Sequence, residues 1–227
     1  MTGSDDMTDF DAIVRGRRTV RGFDPARPVP PEMIREVFEL AQHAPSNCNV
    51  QPWRVVIASG AARDRLRDRL CAAFDSGDMG DPEDPIDTFP GDYRRLQVAC
   101  AVEMYGKMGV ARGDWQGRMK SLRRNFELFD APHVAVIGMD KRFGLGVALD
   151  VGVYVQTLLL ALWGRGVGCC PQAAMRQYPS IVRECLAIPD DTRILCGLSF
   201  GYEDASVPAN DTRQPREPLD NNVRFLE

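Results

Sequence analysis

"RRTVRGFDPARPVPPEMIREVFELAQHAPSNCNVQPWRVVIA", residues 17–58, puts an arginine cluster, an amphipathic helix, a polar loop and a strand into one run. Like charges as dense as Arg15, Arg17, Arg18 and Arg21 repel one another unless water or an anion neutralises them. In an extended segment Arg17, Thr19 and Arg21 share parity and face one way. Two forked guanidiniums flanking a hydroxyl match the oxygens of a phosphate or phosphoribityl group. A solvated basic stretch is the competing reading. Pro30 and Pro31 then open a helix whose stripe is Met33, Ile34, Val37, Phe38 and Ala41. The loop after it, "APSNCNVQPW" (44–53), holds Pro45, Ser46, Asn47, Asn49 and Gln51. Amide side chains offer donors and an acceptor together, which suits a ring edge of alternating N–H and C=O groups. A helix C-cap and turn explains Pro45 and Ser46 equally well, but not the two asparagines with Gln51. "WRVVIAS" (53–59) reads as a strand.

On the N-terminal side, Thr8 and Asp9 are candidate caps for a short helix carrying Phe10, Ile13 and Val14. Downstream, Leu66, Leu70 and Phe74 mark another helix. Residues 76–91, dense in Gly, Pro and Asp, read as a loop or mobile excursion. Two helices follow. The second is capped by Asp114 and spaces Trp115, Met119, Leu122, Phe126 and Phe129 at helical intervals, as core or as cover for a ligand. "HVAVIGM" (133–139) is a strand, and Gly144 to Gly166 contains a long helix. After "GVGCCPQAA" (166–174) come a helix near 178–187 and the strand "RILCGLSFGY". Small residues around Pro171 let a backbone approach a planar ligand; a buried strand end fits as well. Arg213 and Arg216 in the tail add to an anion site or are solvated. Unequal helices between strands point to an α/β or α+β sandwich, and no linker divides the chain into more than one domain.

Composition narrows the function. The chain has 227 residues, 44% apolar and 26% charged, which is ordinary for a globular protein. A net charge of −4 argues against non-specific nucleic-acid binding. Seven cysteines without a CxxC pair fit a reducing cytoplasm. Only His43 and His133 are present, and neither stands at ligand spacing to a cysteine, so no metal site is expected. The acidic start "MTGSDDMTDF" is no targeting peptide, and the apolar span 147–163, broken by Asp150 and Gln156, reads as a buried helix and not a membrane span. No Ser-His-Asp or Cys-His nucleophile pattern and no P-loop occur.

Taken in order, these pieces resemble the FMN-dependent nitroreductase family, and the middle section resembles its nitrobenzoate-reductase-like subgroup. The resemblance rests on Arg-x-Thr-x-Arg at 17–21, Pro-Ser-x-x-Asn-x-Gln-Pro-Trp at 45–53, the segment before residue 174, "LSFGY" and the Arg-x-x-Arg-x-Pro tail. It implies an α+β fold with a mixed central sheet flanked by helices, built as an intertwined homodimer around two FMN sites. It makes 1–227 a single FMN-binding domain with an inserted lid region at about 76–130.

Carried over, Arg17, Arg18, Thr19 and Arg21 hold the phosphate and ribityl chain, joined by Arg213 and Arg216. Pro45, Ser46, Asn47 and Asn49 approach from the other subunit. Pro171, Gln172, Ala173 and Ala174 lie along the isoalloxazine, and Arg124 is a looser ring contact. The implied activity is NADH- or NADPH-dependent reduction of small nitroaromatic, nitrobenzoate-like or quinone-type molecules by ping-pong hydride transfer. Flavin N5 carries the hydride, and no side chain is assigned as catalytic. Enone or haloaromatic reduction, or FMN binding without catalysis, are the alternatives. Ala173-Ala174 stands where many members have Glu-Gly, and Gln214 where a lysine is common.

Overall fold

The computed structural model describes residues 5–84 and 88–226, with side chains described from residue 9 onward; Pro85, Ile86 and Asp87 of the predicted loop lie outside it. The elements, in chain order, are α1 (Asp5–Gly16), α2 (Pro31–Ala41), β1 (Arg54–Ser59), α3 (Gly60–Asp75), α4 (Gly91–Lys107) and α5 (Trp115–Arg123). They continue as β2 (His133–Asp140), α6 (Leu145–Trp163), β3 (Gly168–Gln172), α7 (Pro179–Leu186) and β4 (Thr192–Gly201). The strands form one sheet in the order β1-β2-β4-β3, and each ladder is antiparallel. An isolated parallel bridge between Thr19 and Cys169, outside these four strands, lays segment 17–21 beside β3; the expected mixed sheet is, among the four strands, an antiparallel one.

β2 is paired on both sides and buried along its whole length, which is why "HVAVIGM" is a continuous apolar run with no alternation. Its residues nonetheless divide by parity. Ala135, Ile137 and Met139 pack with α2 and α6, while Val134 and Val136 pack with the Leu66, Leu70 and Val182 side of α3 and α7. Helices therefore cover both faces of the sheet. Gly168 makes room for the arginine segment, since a Cβ there would sit 2.8 Å from Val20 Cγ2. Val20 N–H donates to the Cys169 carbonyl at 3.0 Å, so the extended segment alternates Val20 inward with Thr19 and Arg21 outward.

Several expectations change. α1 begins at Asp5, ahead of the expected caps, and the side chain of Thr8 lies outside the described residues. α5 does start at Asp114, whose carboxylate accepts from Gly117 N–H at 2.8 Å, but it stops at Arg123. Phe126 and Phe129 reach the core through a turn in which Leu128, Phe129 and Asp130 all have positive φ, at 58°, 54° and 66°. α6 has the length and apolar composition of a membrane span, yet it buries Val151, Tyr154, Leu158 and Leu162 in the core. Burial is one-sided, however: Leu149, within the 147–163 span expected to be buried, is 70% exposed, and Leu145 just before it 89%.

The loop after α3 is fastened where it is described. Tyr178 Oη donates to the Asp78 carbonyl at 2.8 Å, and Glu83 pairs with Lys141 and Arg183 at 2.7 and 2.6 Å. At the base of the excursion, Arg123 clamps Asp75 through two bonds of 2.7 and 2.8 Å, joining the ends of α3 and α5.

Candidate functional site

The extended segment after α1 and the tail after β4 close on a cavity of about 650 Å³. Arg17, Arg18, Thr19 and Arg21 border it from one side, Arg213 and Arg216 from the other, and Cys100 of α4 from above. Arg18 differs from its neighbours: its guanidinium pairs with Glu203 and lies 4.9 Å above the Trp163 ring, so its charge is already neutralised. Arg213 donates to the Asn210 and Thr212 carbonyls, and Arg216 to those of Gln214 and Pro215. None of Arg17, Arg21, Arg213 and Arg216 has a carboxylate partner among the described residues. Four uncompensated guanidiniums around one hollow form a site for a multiply charged anion.

Asn210 sets the position of Arg21. Buried at 3% exposure, it accepts from Arg21 N–H at 2.7 Å and donates to the Gly22 and Asp204 carbonyls, both at 2.9 Å. Sequence reading missed this residue, because a lone asparagine in a polar tail carries no periodic signal.

A second cavity, of about 400 Å³, shares Arg21 with the first. Met104, Met108, Leu122 and Phe129 supply apolar wall, and Lys120, Arg124 and Asn125 supply polar groups. Arg124 therefore faces this cavity and not the arginine cradle, with its guanidinium bound to Glu127 and Asp130 at 2.7 Å each. Two adjoining hollows with one cationic and one apolar end suit an elongated ligand with an anionic tail and a flat apolar head.

The remaining candidates border neither cavity within one chain. Loop 44–53 lies against α6: Asn47 N–H donates to the Asp150 carboxylate at 3.1 Å, and Ser46 Oγ accepts from Gln51 N–H at 2.9 Å. Cys48, Asn49 and Gln51 hold positive φ of 50°, 55° and 49°, a costly backbone that presents exposed Pro45, Asn47 and Asn49 outward. Trp53 anchors it, stacked on Tyr154 at 4.7 Å with its N–H on Gln42. Pro171, Gln172, Ala173 and Ala174 form the end of β3 and the turn after it. The Gln172 side chain is spent inside the fold, donating to the Asn125 carbonyl at 2.6 Å and accepting from Ser199 at 2.5 Å. Only backbone and small side chains remain there for a ligand. The buried thiols nearby are inert, with Cys169 and Cys170 both pushed up to about 12 by burial. Among the described residues no cluster of histidine, cysteine and carboxylates could hold a metal.

The Nitroreductase family profile matches residues 14–202. The chain belongs to the nitroreductase family. A 4-nitrobenzoate reductase of Nocardioides sp. (strain LMS-CY) is 38% identical, covering 96% of this chain and 90% of the relative. Another 4-nitrobenzoate reductase, from Pseudomonas putida, is 34% identical with 96% of each chain covered. The crystal structure of the FMN-dependent nitroreductase NfnB from Mycobacterium smegmatis in complex with NADPH superposes with a TM-score of 0.93. It is 36% identical and covers 98% of this chain and 100% of its own. In this nitroreductase the resemblance read from the motifs is borne out, and the α+β fold is that of its structural neighbours.

Proposed function

We propose that the arginine cradle is the phosphate end of an FMN site in an NAD(P)H-dependent oxidoreductase that reduces nitroaromatic compounds. The observation that carries this reading is the set of four guanidiniums without acidic partners among the described residues, opening through Arg21 into an apolar cavity. FMN, when bound, supplies the redox chemistry, accepting hydride from NADH or NADPH and reducing a second small molecule at the same place in a ping-pong cycle.

The chain's own residues bind and orient. Arg17, Arg21, Arg213 and Arg216 neutralise a phosphate, with the Thr19 hydroxyl between them and Arg18 braced on Glu203. Arg21, fixed by Asn210, borders both cavities, and its positive charge would stabilise negative charge on a cofactor held across them. Arg124 holds the polar edge of that cavity while Glu127 and Asp130 keep it in place. Pro171, Gln172, Ala173 and Ala174 offer backbone to a planar ring, with no bulky side chain in the way. No side chain is required as a general acid, and water serves as proton source.

Pro45, Ser46, Asn47 and Asn49 complete the site from a second subunit. Three features support a homodimer. α6 presents Leu145, Leu149 and Val153 outward in one row, α4 buries none of its apolar residues within the chain, and Phe225 and Leu226 end the tail exposed. Exposed apolar surface of this extent marks an interface. The chain acts as one domain, with residues 76–130 as its cover, and works in the cytoplasm, where the free cysteines stay reduced.

Purified protein is expected to be yellow, with one FMN per chain, bleached by NADPH without oxygen and recoloured by a nitroarene. A colourless protein that ignores added FMN refutes the reading. A flavin-loaded monomer in sedimentation refutes the shared site.

A further inference from the structure

Gln172 places a buried amide between the end of β3 and the turn that follows α5. Strand parity exposes Pro171 and Ala173 and turns Gln172 inward, where it is 2% exposed. Its Nε2 donates to the Asn125 carbonyl at 2.6 Å, and its Oε1 accepts from Ser199 Oγ on β4 at 2.5 Å. A carbonyl can only accept, so the amide has a single orientation. Asn125 stands beside Arg124 in that turn, and both border the second cavity. Arg124 is braced on Glu127 and Asp130 of its own segment, so those bonds do not locate it relative to β3. Asp75 holds the start of the turn through Arg123, and Phe23 N–H donates to the Phe129 carbonyl near its end. Gln172 enters between these two ties, from the strand end itself. Leu128, Phe129 and Asp130 have positive φ, a backbone that persists only where its surroundings hold it.

We propose that Gln172 is a positioning residue: its amide locks the turn bearing Arg124 to the end of β3 and so sets the spacing between that cavity wall and the backbone of residues 171–174. This rests on the reading that a planar cofactor lies along those residues.

Three variants separate positioning from plain stability. Ser199→Ala removes the hydroxyl and leaves the Asn125 bond in place. Gln172→Met keeps the length of the side chain and removes both bonds, and Q172M/S199A does so without stranding the Ser199 hydroxyl. In the cofactor-free protein, hydrogen exchange read by mass spectrometry is expected to speed about tenfold at residues 124–129 in Q172M and the double variant, and to stay unchanged there in S199A. FMN affinity, read by fluorescence quenching, is expected to fall about tenfold in the same two variants and less than about twofold in S199A. The visible absorption maximum of bound FMN moves only where Gln172 is replaced.

Wild-type exchange at 124–129 in both Gln172 variants overturns the assignment. So does faster exchange with unchanged FMN affinity, or a weakening of FMN that S199A shares in proportion to its lost urea stability. If wild type takes up no FMN, the cofactor reading falls, and exchange alone decides whether Gln172 braces the turn.

Discussion

Replacing Arg17 and Arg21 together by alanine separates a ligand-binding cradle from a structural one by the sign of two effects. Each guanidinium lost removes a charge-assisted bond to phosphate worth about 1.5–3 kcal/mol. Both side chains are half-exposed, so the low end applies: about 3 kcal/mol for the pair, or about 150-fold in Kd. The cofactor-free protein responds the other way. Among the described residues Arg17, Arg21, Arg213 and Arg216 border one cavity without acidic partners, and removing two of them relieves repulsion of about 0.5–2 kcal/mol. Equilibrium quenching of FMN fluorescence reads the first effect. Thermal melting with and without saturating FMN reads the second. The FMN-induced rise in Tm is expected to shrink by about 6–12 °C, while the cofactor-free Tm holds or increases. Unchanged FMN affinity, or a clear loss of cofactor-free stability, refutes the reasoning, because either outcome means the arginines serve the fold and not an anion.

Three further tests address how the site is supported. Tyr154 Oη is fully buried without a partner among the described residues, and burial pushes its pKa up to about 12; Tyr154→Phe should leave urea stability unchanged or raise it by about 1 kcal/mol, and a loss of that size would show that the hydroxyl is bonded in solution. Asn210→Leu leaves Arg21 N–H without its acceptor, while the Gly22 and Asp204 carbonyls keep bonds from Asp204 N–H and Val207 N–H; it should cost about 1–3 kcal/mol in urea unfolding and weaken FMN, and a neutral change would sever Asn210 from the cradle. His133 accepts from Val29 N–H through Nε2 and meets Ser59 Oγ at 2.6 Å, while burial and Arg63 lower its pKa below 6.5. The folded state therefore binds the His133 proton less readily than the unfolded state, so stability is complete above pH 6.5 and declines as pH falls below it. His133→Phe should flatten the urea midpoint over that window, and an unchanged slope would assign the pH dependence elsewhere.

Local signals carried the regular elements well. The stripe from Met33 to Ala41 is α2, and the alternation and β-branching of "RVVIAS" is β1, because an element that packs on one face writes its period into the chain. The same rule misled at α5. Phe126 and Phe129 keep helical spacing from Leu122, yet they are buried by a turn with positive φ and not by a continued helix. Spacing records which side chains go inside, not the backbone path that takes them there. α6 failed in the other direction: its apolar residues exceed what one core can cover, so composition gave burial where the single chain leaves a row of leucines outside.

The sequence by itself determined the family, the α+β order of elements and the arginines at 17, 21, 213 and 216. Those are properties of residue type and spacing along the chain. Only the tertiary structure decided which polar groups are free to act. Arg18 and Gln172 are consumed by Glu203 and by Asn125 with Ser199, Arg124 turns to a second cavity, and Asn210 emerges as the anchor of Arg21. A charge or amide is available to a ligand only if nothing in the fold has already neutralised it. That depends on contacts between residues as far apart as Arg21 and Asn210, which no local pattern encodes.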